Sequence, residues 1–257
     1  MSAATMPRRT PARRLHAFAM EVRCEGLRLW REPMYVLPTL LFPVAFYAMF
    51  GLLLGSRGDG SGARYLLATY GVFGTMAASL FGFGVTVAID RERGFLALRR
   101  ALPASPAGWL LARMLMAMLF AAAIALLLGL LASAFGGVRL AASQWLLLAA
   151  VQVLGALPFC AIGLYLGAVC SANAAPAIVN LLFLPMAFLS GLWLPLSMLP
   201  GALERIAPLW PAWHLAQLAL GAIDYAPVRA LWLHLLVLAA VAVCCFVLAM
   251  RRLARVG

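Results

Sequence analysis

The chain has 257 residues, 65% of them hydrophobic and 11% charged, with a formal net charge of +12. Soluble domains carry about 25% charged residues, so this composition excludes a water-soluble globular protein and predicts an all-α integral membrane protein. All of the basic residues are arginine and none is lysine, which excludes a P-loop lysine or a Schiff-base lysine in this chain.

Residues 12–31 form the first predicted element. At 100° per residue Leu15, Phe18, Ala19, Val22, Gly26, Leu29 and Trp30 share one face, and Arg13, Arg14, Glu21, Glu25, Arg28 and Arg31 share the other. That pattern predicts an amphipathic helix lying in the membrane interface, with Trp30 at headgroup depth and the charged residues in water. The basic residues through Arg14 are not followed directly by an apolar core and small-residue cleavage site, so no cleaved signal peptide is expected.

Six transmembrane spans are predicted, at about Pro33–Gly55, Tyr65–Ile89, Gly108–Phe135, Gln144–Cys170, Ala175–Pro195 and Arg229–Met250. The chain then divides into an N-terminal segment 1–32, a transmembrane region 33–250 and a short tail 251–257. Fifteen of the twenty arginines lie on the side of the termini and of the loop 90–107. The positive-inside rule therefore predicts that both termini and that loop are cytoplasmic. On the outer side, residues 196–228 hold several prolines around the apolar run Leu215–Ile223, too short to span. A re-entrant or interfacial hairpin between spans five and six is expected there, or a helix packed on the outer ends of neighbouring spans.

The loop is the densest charge cluster between spans. Asp90, Arg91, Glu92, Arg93, Arg99 and Arg100 would cost on the order of 15 kcal/mol at a bilayer centre, at about 2.5–3.5 kcal/mol each, so they lie outside the lipid. Phe95, Leu96 and Leu98 between them suit docking onto a protein, which a solvated connector would not need. In the spans, Gly71, Gly74, Ala78 and Gly82 stand near i, i+4 spacing and permit close helix approach. Thr69, Thr75, Ser79 and Thr86 add hydroxyls. Span five offers Asn180, Phe183, Met186 and Phe188, a set that suits an apolar gate or a lipid-facing surface.

Catalytic signals are missing. HExxH and Gly-x-Ser-x-Gly do not occur, the five cysteines show no CxxC spacing, and His214 and His234 have no ligand partner at metal-binding spacing. No Asp, Glu or Lys falls inside a predicted span, which leaves a proton relay unsupported.

Three stretches carry a family resemblance: the amphipathic Leu15–Trp30 segment; Arg91-Glu92-Arg93-Gly94 followed by Leu98-Arg99-Arg100 and Pro103-Ala104-Ser105-Pro106; and the run from Leu189 to Pro200. In their order around six spans they resemble the type-2 ABC export permeases. The resemblance implies a subunit that forms the translocation path as a dimer, taken as a homodimer, and binds two copies of a separate ABC ATPase. ATP and Mg would then belong to the ATPase, with no cofactor bound by this chain, no nucleic-acid partner and membrane lipids around it. It also implies a coupling helix in the loop, carried by Arg91, Glu92, Arg93, Gly94, Phe95, Leu96, Arg99 and Arg100. Spans two and five would line the path, with Thr69, Thr75, Ser79, Asn180, Phe183, Met186 and Phe188 as candidates. Many relatives have Asn-Pro where this chain has Trp210-Pro211, so no role is carried over there. The alternatives are a non-transporting scaffold or assembly protein and a lipid-modifying membrane enzyme.

Overall fold

In lipid a backbone must satisfy its own hydrogen bonds, and a single chain segment does so as a helix. The computed structural model describes residues 11–52, 61–95 and 106–256, and no strand occurs among the described residues. Helix α1 is Pro11–Trp30, α2 is Pro33–Leu52 and α3 is Ser61–Glu92. Then come α4 Pro106–Ala134, α5 Ala142–Val169, α6 Ala175–Leu189, α7 Gly201–Ile206, α8 Pro211–Ala222 and α9 Leu231–Val256. Among the described residues five helices, α2 to α5 and α9, are long and apolar enough to cross a membrane. The chain is an all-α integral membrane protein.

Two boundaries differ from the sequence reading. The fifth expected span runs to Pro195, but α6 stops at Leu189. Gly191 takes φ +74°, its N–H donates to the Phe188 carbonyl and that of Leu192 to the Ala187 carbonyl, each at 3.1 Å. A left-handed glycine with a bond reaching back over the last turn is a helix stop. At 1.5 Å per residue α6 is about 22 Å long, short of the roughly 30 Å hydrocarbon core. At the other end, the tail expected from residue 251 is helical, because α9 continues through Arg251, Arg252 and Arg255 to Val256. Leu96, Arg99 and Arg100 lie outside the described residues.

Helix α3 is the most buried of the spans and forms the centre of the bundle. It packs on α5 at a crossing made of glycines: a Cβ on Gly84 would lie 2.7 Å from the Gly163 Cα, and one on Gly167 2.2 Å from the Gly84 carbonyl oxygen. The small residues expected to bring helices together play another part. Gly71 receives the Gln152 side chain, Gly74 the ring of Pro43 and Gly82 the Tyr35 hydroxyl, so they are sockets for side chains. Through the crossing itself α3 widens to π geometry, over Ala78–Val85.

The segment after α6 forms a short 3-10 turn Leu196–Met198, then α7, a second turn Ala207–Leu209, and α8. Helix α8 is mostly buried and packs against α3, α5 and α9. Its Leu215 side chain fills the space over Gly155 of α5.

Candidate functional site

The last turns of α3, the start of α4 and the second half of α1 meet around one side chain. Arg113 lies on α4 with only 1% of its surface exposed. Its Nη2 donates to Asp90 Oδ2 of α3, its Nη1 to Thr86 Oγ1 at 2.8 Å, and its Nε stands 3.5 Å from Glu25 Oε1 of α1. The guanidinium also lies over the Trp109 ring, 4.5 Å from the centroid, a cation–π arrangement. Trp109 Nε1 in turn donates to Glu25 Oε1 at 2.9 Å. Both carboxylates are 5% exposed. Arg28 of α1 completes the set: its Nη1 donates to Asp90 Oδ2 at 2.8 Å, and its Nε is 3.5 Å from Glu32. Burial works against the Arg28 charge, but its hydrogen bond to the Asp90 carboxylate and the nearby negative charges of Asp90, Glu25 and Glu32 outweigh it and raise its pKa.

This arrangement revises two sequence expectations. Glu25 was placed on the water-facing side of α1, yet α1 turns Val22, Glu25 and Leu29 toward α4. Trp30 is 87% exposed. The physical reason is Arg113: a buried cation is stable only when paired and hydrogen-bonded, and α1 supplies the pairing. Arg113 had counted only as a topology-setting charge near the loop. A signal for it existed, since it interrupts an otherwise apolar run from Trp109 to Met118, and an ionisable residue in such a run calls for a named partner.

Beyond the cluster, the end of α3 is fastened to the connection between α5 and α6. Arg91 Nη1 donates to the Ala168 carbonyl and its Nη2 to the Cys170 carbonyl at 2.5 Å. These belong to the last turn of α5, where carbonyls lack helical partners and cations are favoured. The Ala172 N–H donates to Glu92 Oε1 at 2.9 Å. Arg93, Gly94 and Phe95 are exposed, with Gly94 at φ +76° turning the chain out of α3. A cleft of about 350 Å³ between α1 and this turn is lined by Glu25, Arg28, Glu32, Asp90, Arg93 and Phe95 among others. Charge buried on one side thus faces an open, mixed-charge rim on the other.

The pathway candidates separate into two groups. Thr69, Thr75 and Ser79 are fully buried in α3; Thr69 Oγ1 donates to the Tyr65 carbonyl at 3.1 Å, while the Thr75 and Ser79 hydroxyls have no protein partner. Phe183 and Met186 of α6 pack into the core, Phe183 with its ring 5.1 Å from Phe73. Asn180 and Phe188 are exposed. At the far end of the bundle His214 of α8 and His234 of α9 stand Nδ1 to Nδ1 at 2.9 Å. Their Nε2 atoms lie 2.9 Å from the Pro208 carbonyl oxygen and 3.1 Å from that of Arg229. Burial lowers the His214 pKa, the Pro208 hydrogen bond offsets this in part, and His234 adds to the lowering. Among the described residues no group of three or more His, Cys, Asp or Glu is placed to hold a metal ion.

Residues 55–251 match the model of the family described as ABC-2 family transporter protein. The chain is also similar to "Putative transport permease YvfS" of Bacillus subtilis (strain 168), 26% identical over 192 residues that cover 74% of this chain and 78% of that protein. The family match takes in Asp90, Arg113, the histidine pair and the helices from α3 into α9, and the chain belongs to the ABC-2 family of transporters.

Proposed function

We propose that the chain is the permease subunit of an ATP-driven exporter, coupled through the segment 90–107 to a separate ATPase. Two copies would form the path at a two-fold axis and bind two ATPase subunits, which hold ATP and Mg, so that this chain needs no catalytic site. In this reading α6 is a short sixth crossing, α1 rests at the interface, residues 196–228 cap the outer side, and both termini are cytoplasmic at the bacterial inner membrane. Thr69, Thr75 and Ser79 of α3, with Asn180, Phe183, Met186 and Phe188 of α6, are the candidates for the path. The apolar spans suit a hydrophobic or amphipathic cargo.

The observation that carries the reading is the mounting of the coupling segment. Asp90 is gripped by Arg28 of α1 and Arg113 of α4, and Arg91 and Glu92 hold the α5–α6 connection, while Phe95 stays exposed next to them. A partner pressing on Phe95 and its neighbours would move four helices together. ATP-driven closure of the ATPase pair would draw two such segments together, by contacts that differ between its states.

The test is affinity purification of the tagged chain from its own membranes in mild detergent, with the mass and composition of the complex determined. A two-plus-two assembly with an ATP-binding protein, lost when Phe95→Ala and Leu96→Ala are combined, is expected. Recovery of the intact chain without an ATPase across several detergents would overturn the exporter reading in favour of a scaffold.

A further inference from the structure

His214 and His234 make more contacts than two neutral rings have protons for. Each Nε2 faces a backbone carbonyl oxygen, that of Pro208 at 2.9 Å and that of Arg229 at 3.1 Å, and the two Nδ1 atoms face each other at 2.9 Å. A carbonyl oxygen only accepts, and a neutral imidazole carries one N–H. Both N–H groups are then spent on the carbonyls, and the Nδ1 atoms meet lone pair to lone pair. Moving one proton to Nδ1 repairs that contact and breaks a carbonyl contact in its place. The rings are 3% and 4% exposed, so the missing donor does not come from bulk water.

The setting admits a cation. The Trp213 ring lies 5.0 Å from the His214 ring and 5.3 Å from the His234 ring, within the reach at which an aromatic ring attracts a positive charge. The two carbonyls accept more strongly from a charged ring than from a neutral one. Burial opposes the charge, and so do the first turns of α8 and α9, in which the rings stand. One charge is admitted and a second is rejected: with the charge on His234, His214 is the ring held neutral.

Other charges do not decide the matter. Helix α8 packs on α3, α5, α6 and α9, and α9 also packs on α4 and α5. At this end Arg64 of α3 donates to the Ile223 carbonyl, Tyr65 donates to the Gly191 carbonyl, and Asp224 accepts from Gln144 of α5. Tyr225 lies against the Tyr65 ring, while Glu204, Arg205 and the Arg229 side chain are exposed. Among the described residues the charge that bears on His214 is that of His234, and no carboxylate bears on either ring.

We propose that the folded chain holds one extra proton between His214 Nδ1 and His234 Nδ1, so that the pair is a singly charged clasp fastening α8 to α9. The clasp stands whether or not the chain is an exporter. Its proton stabilises the folded state up to the pH at which the clasp titrates, and that stabilisation is lost as pH rises through this point.

The experiment uses the full chain in lipid nanodiscs with isotope-labelled histidine. The chain has three histidines, and His16→Gln, on the exposed face of α1, leaves only the pair to report. Nitrogen NMR separates ring nitrogens that carry a proton from those that do not. At about pH 8 an ordinary histidine, with a pKa of about 6.5, is neutral. There the pair is expected to hold three protons, one on each Nε2 and one shared between the Nδ1 atoms. Two protons at about pH 8, with a third taken up only below about pH 6.5, would overturn the proposal. So would two bare Nδ1 atoms whose signals move when zinc ions are added, since the pair would then hold a metal ion. In thermal unfolding of the detergent-solubilised chain, the ratio of folded to unfolded should fall about tenfold per pH unit above about 6.5 until the clasp titrates, because only the folded chain keeps the proton. His234→Phe, which keeps the ring volume, should abolish that fall; a fall that persists would place the proton elsewhere and overturn the proposal.

Discussion

The two ends of the bundle bury polar side chains in different ways. At one end Glu25 and Arg28 of α1, Asp90 of α3 and Arg113 of α4 come together, and two carboxylates and two guanidinium groups neutralise each other. At the other His214 and His234 come from neighbouring helices and meet through ring nitrogens and backbone carbonyls. The first arrangement locks α1, α3 and α4 into one body, because no member can leave without exposing a charge to a medium that cannot solvate it. The second fastens only α8 to α9, and a ring that loses its partner is still neutral. Strength of attachment is thus concentrated at the end that carries the exposed turn at Arg93–Phe95.

Removing one member from each set makes the difference measurable. Arg113→Ala should cost the fold about 3–5 kcal/mol, the loss expected when a buried pair is broken from one side. It should appear as an early transition in thermal unfolding of the detergent-solubilised chain followed by size exclusion, and an unchanged transition would show the cluster to be solvated. His214→Phe should cost about 1–3 kcal/mol, the two hydrogen bonds to His234 and the Pro208 carbonyl with the ring space still filled. The same pair gives the wild type a pH dependence. Burial lowers the His214 pKa, so below its ordinary value of about 6.5 the unfolded chain takes up a proton that the folded pair resists, and stability falls as pH falls. His214→Phe should flatten that slope; a slope that persists would locate the titration elsewhere. The smallest effect on stability belongs to Glu92→Arg, whose side chain is exposed and whose bond is to one backbone N–H. It should change the unfolding temperature little while weakening ATPase recruitment in a pull-down, and unchanged recruitment would remove Glu92 from the coupling contacts.

Much of this was legible in the sequence because membrane physics is strict. The helices, their order and the need for the 90–107 charges to lie outside lipid follow from segment length and the cost of burying charge. Arg113 carried a signal, an arginine within an apolar run, but it was counted only for topology; its partner Glu25 sits on another helix, and the 100° pattern of α1 places that residue among the water-facing charges. Periodicity sorts residues by polarity and cannot say that one polar residue faces inward to meet another. Glycine spacing misled in a related way. Gly71, Gly74 and Gly82 read as a helix-contact stripe, yet each accommodates a side chain, and the backbone contact falls on Gly84 and Gly163. Which glycine meets backbone and which meets a side chain depends on the crossing of two helices, and a single helix does not encode that. The end of α6 at Leu189 shows the same limit, since the hydrophobic run continues past it and only the left-handed Gly191 stops the helix.

The Gly84–Gly163 contact has a mechanical meaning. Packed helices usually shear because the side chains between them change rotamer and act as a compliant layer. Where Gly84 lies on Gly163 and Gly167 that layer is missing, and close-packed protein resists compression. Under the proposed function, α3 and α5 would act as a single stiff lever with one end at Asp90 and Arg91, and a push from the ATPase there would reach the far side of the membrane as tilt.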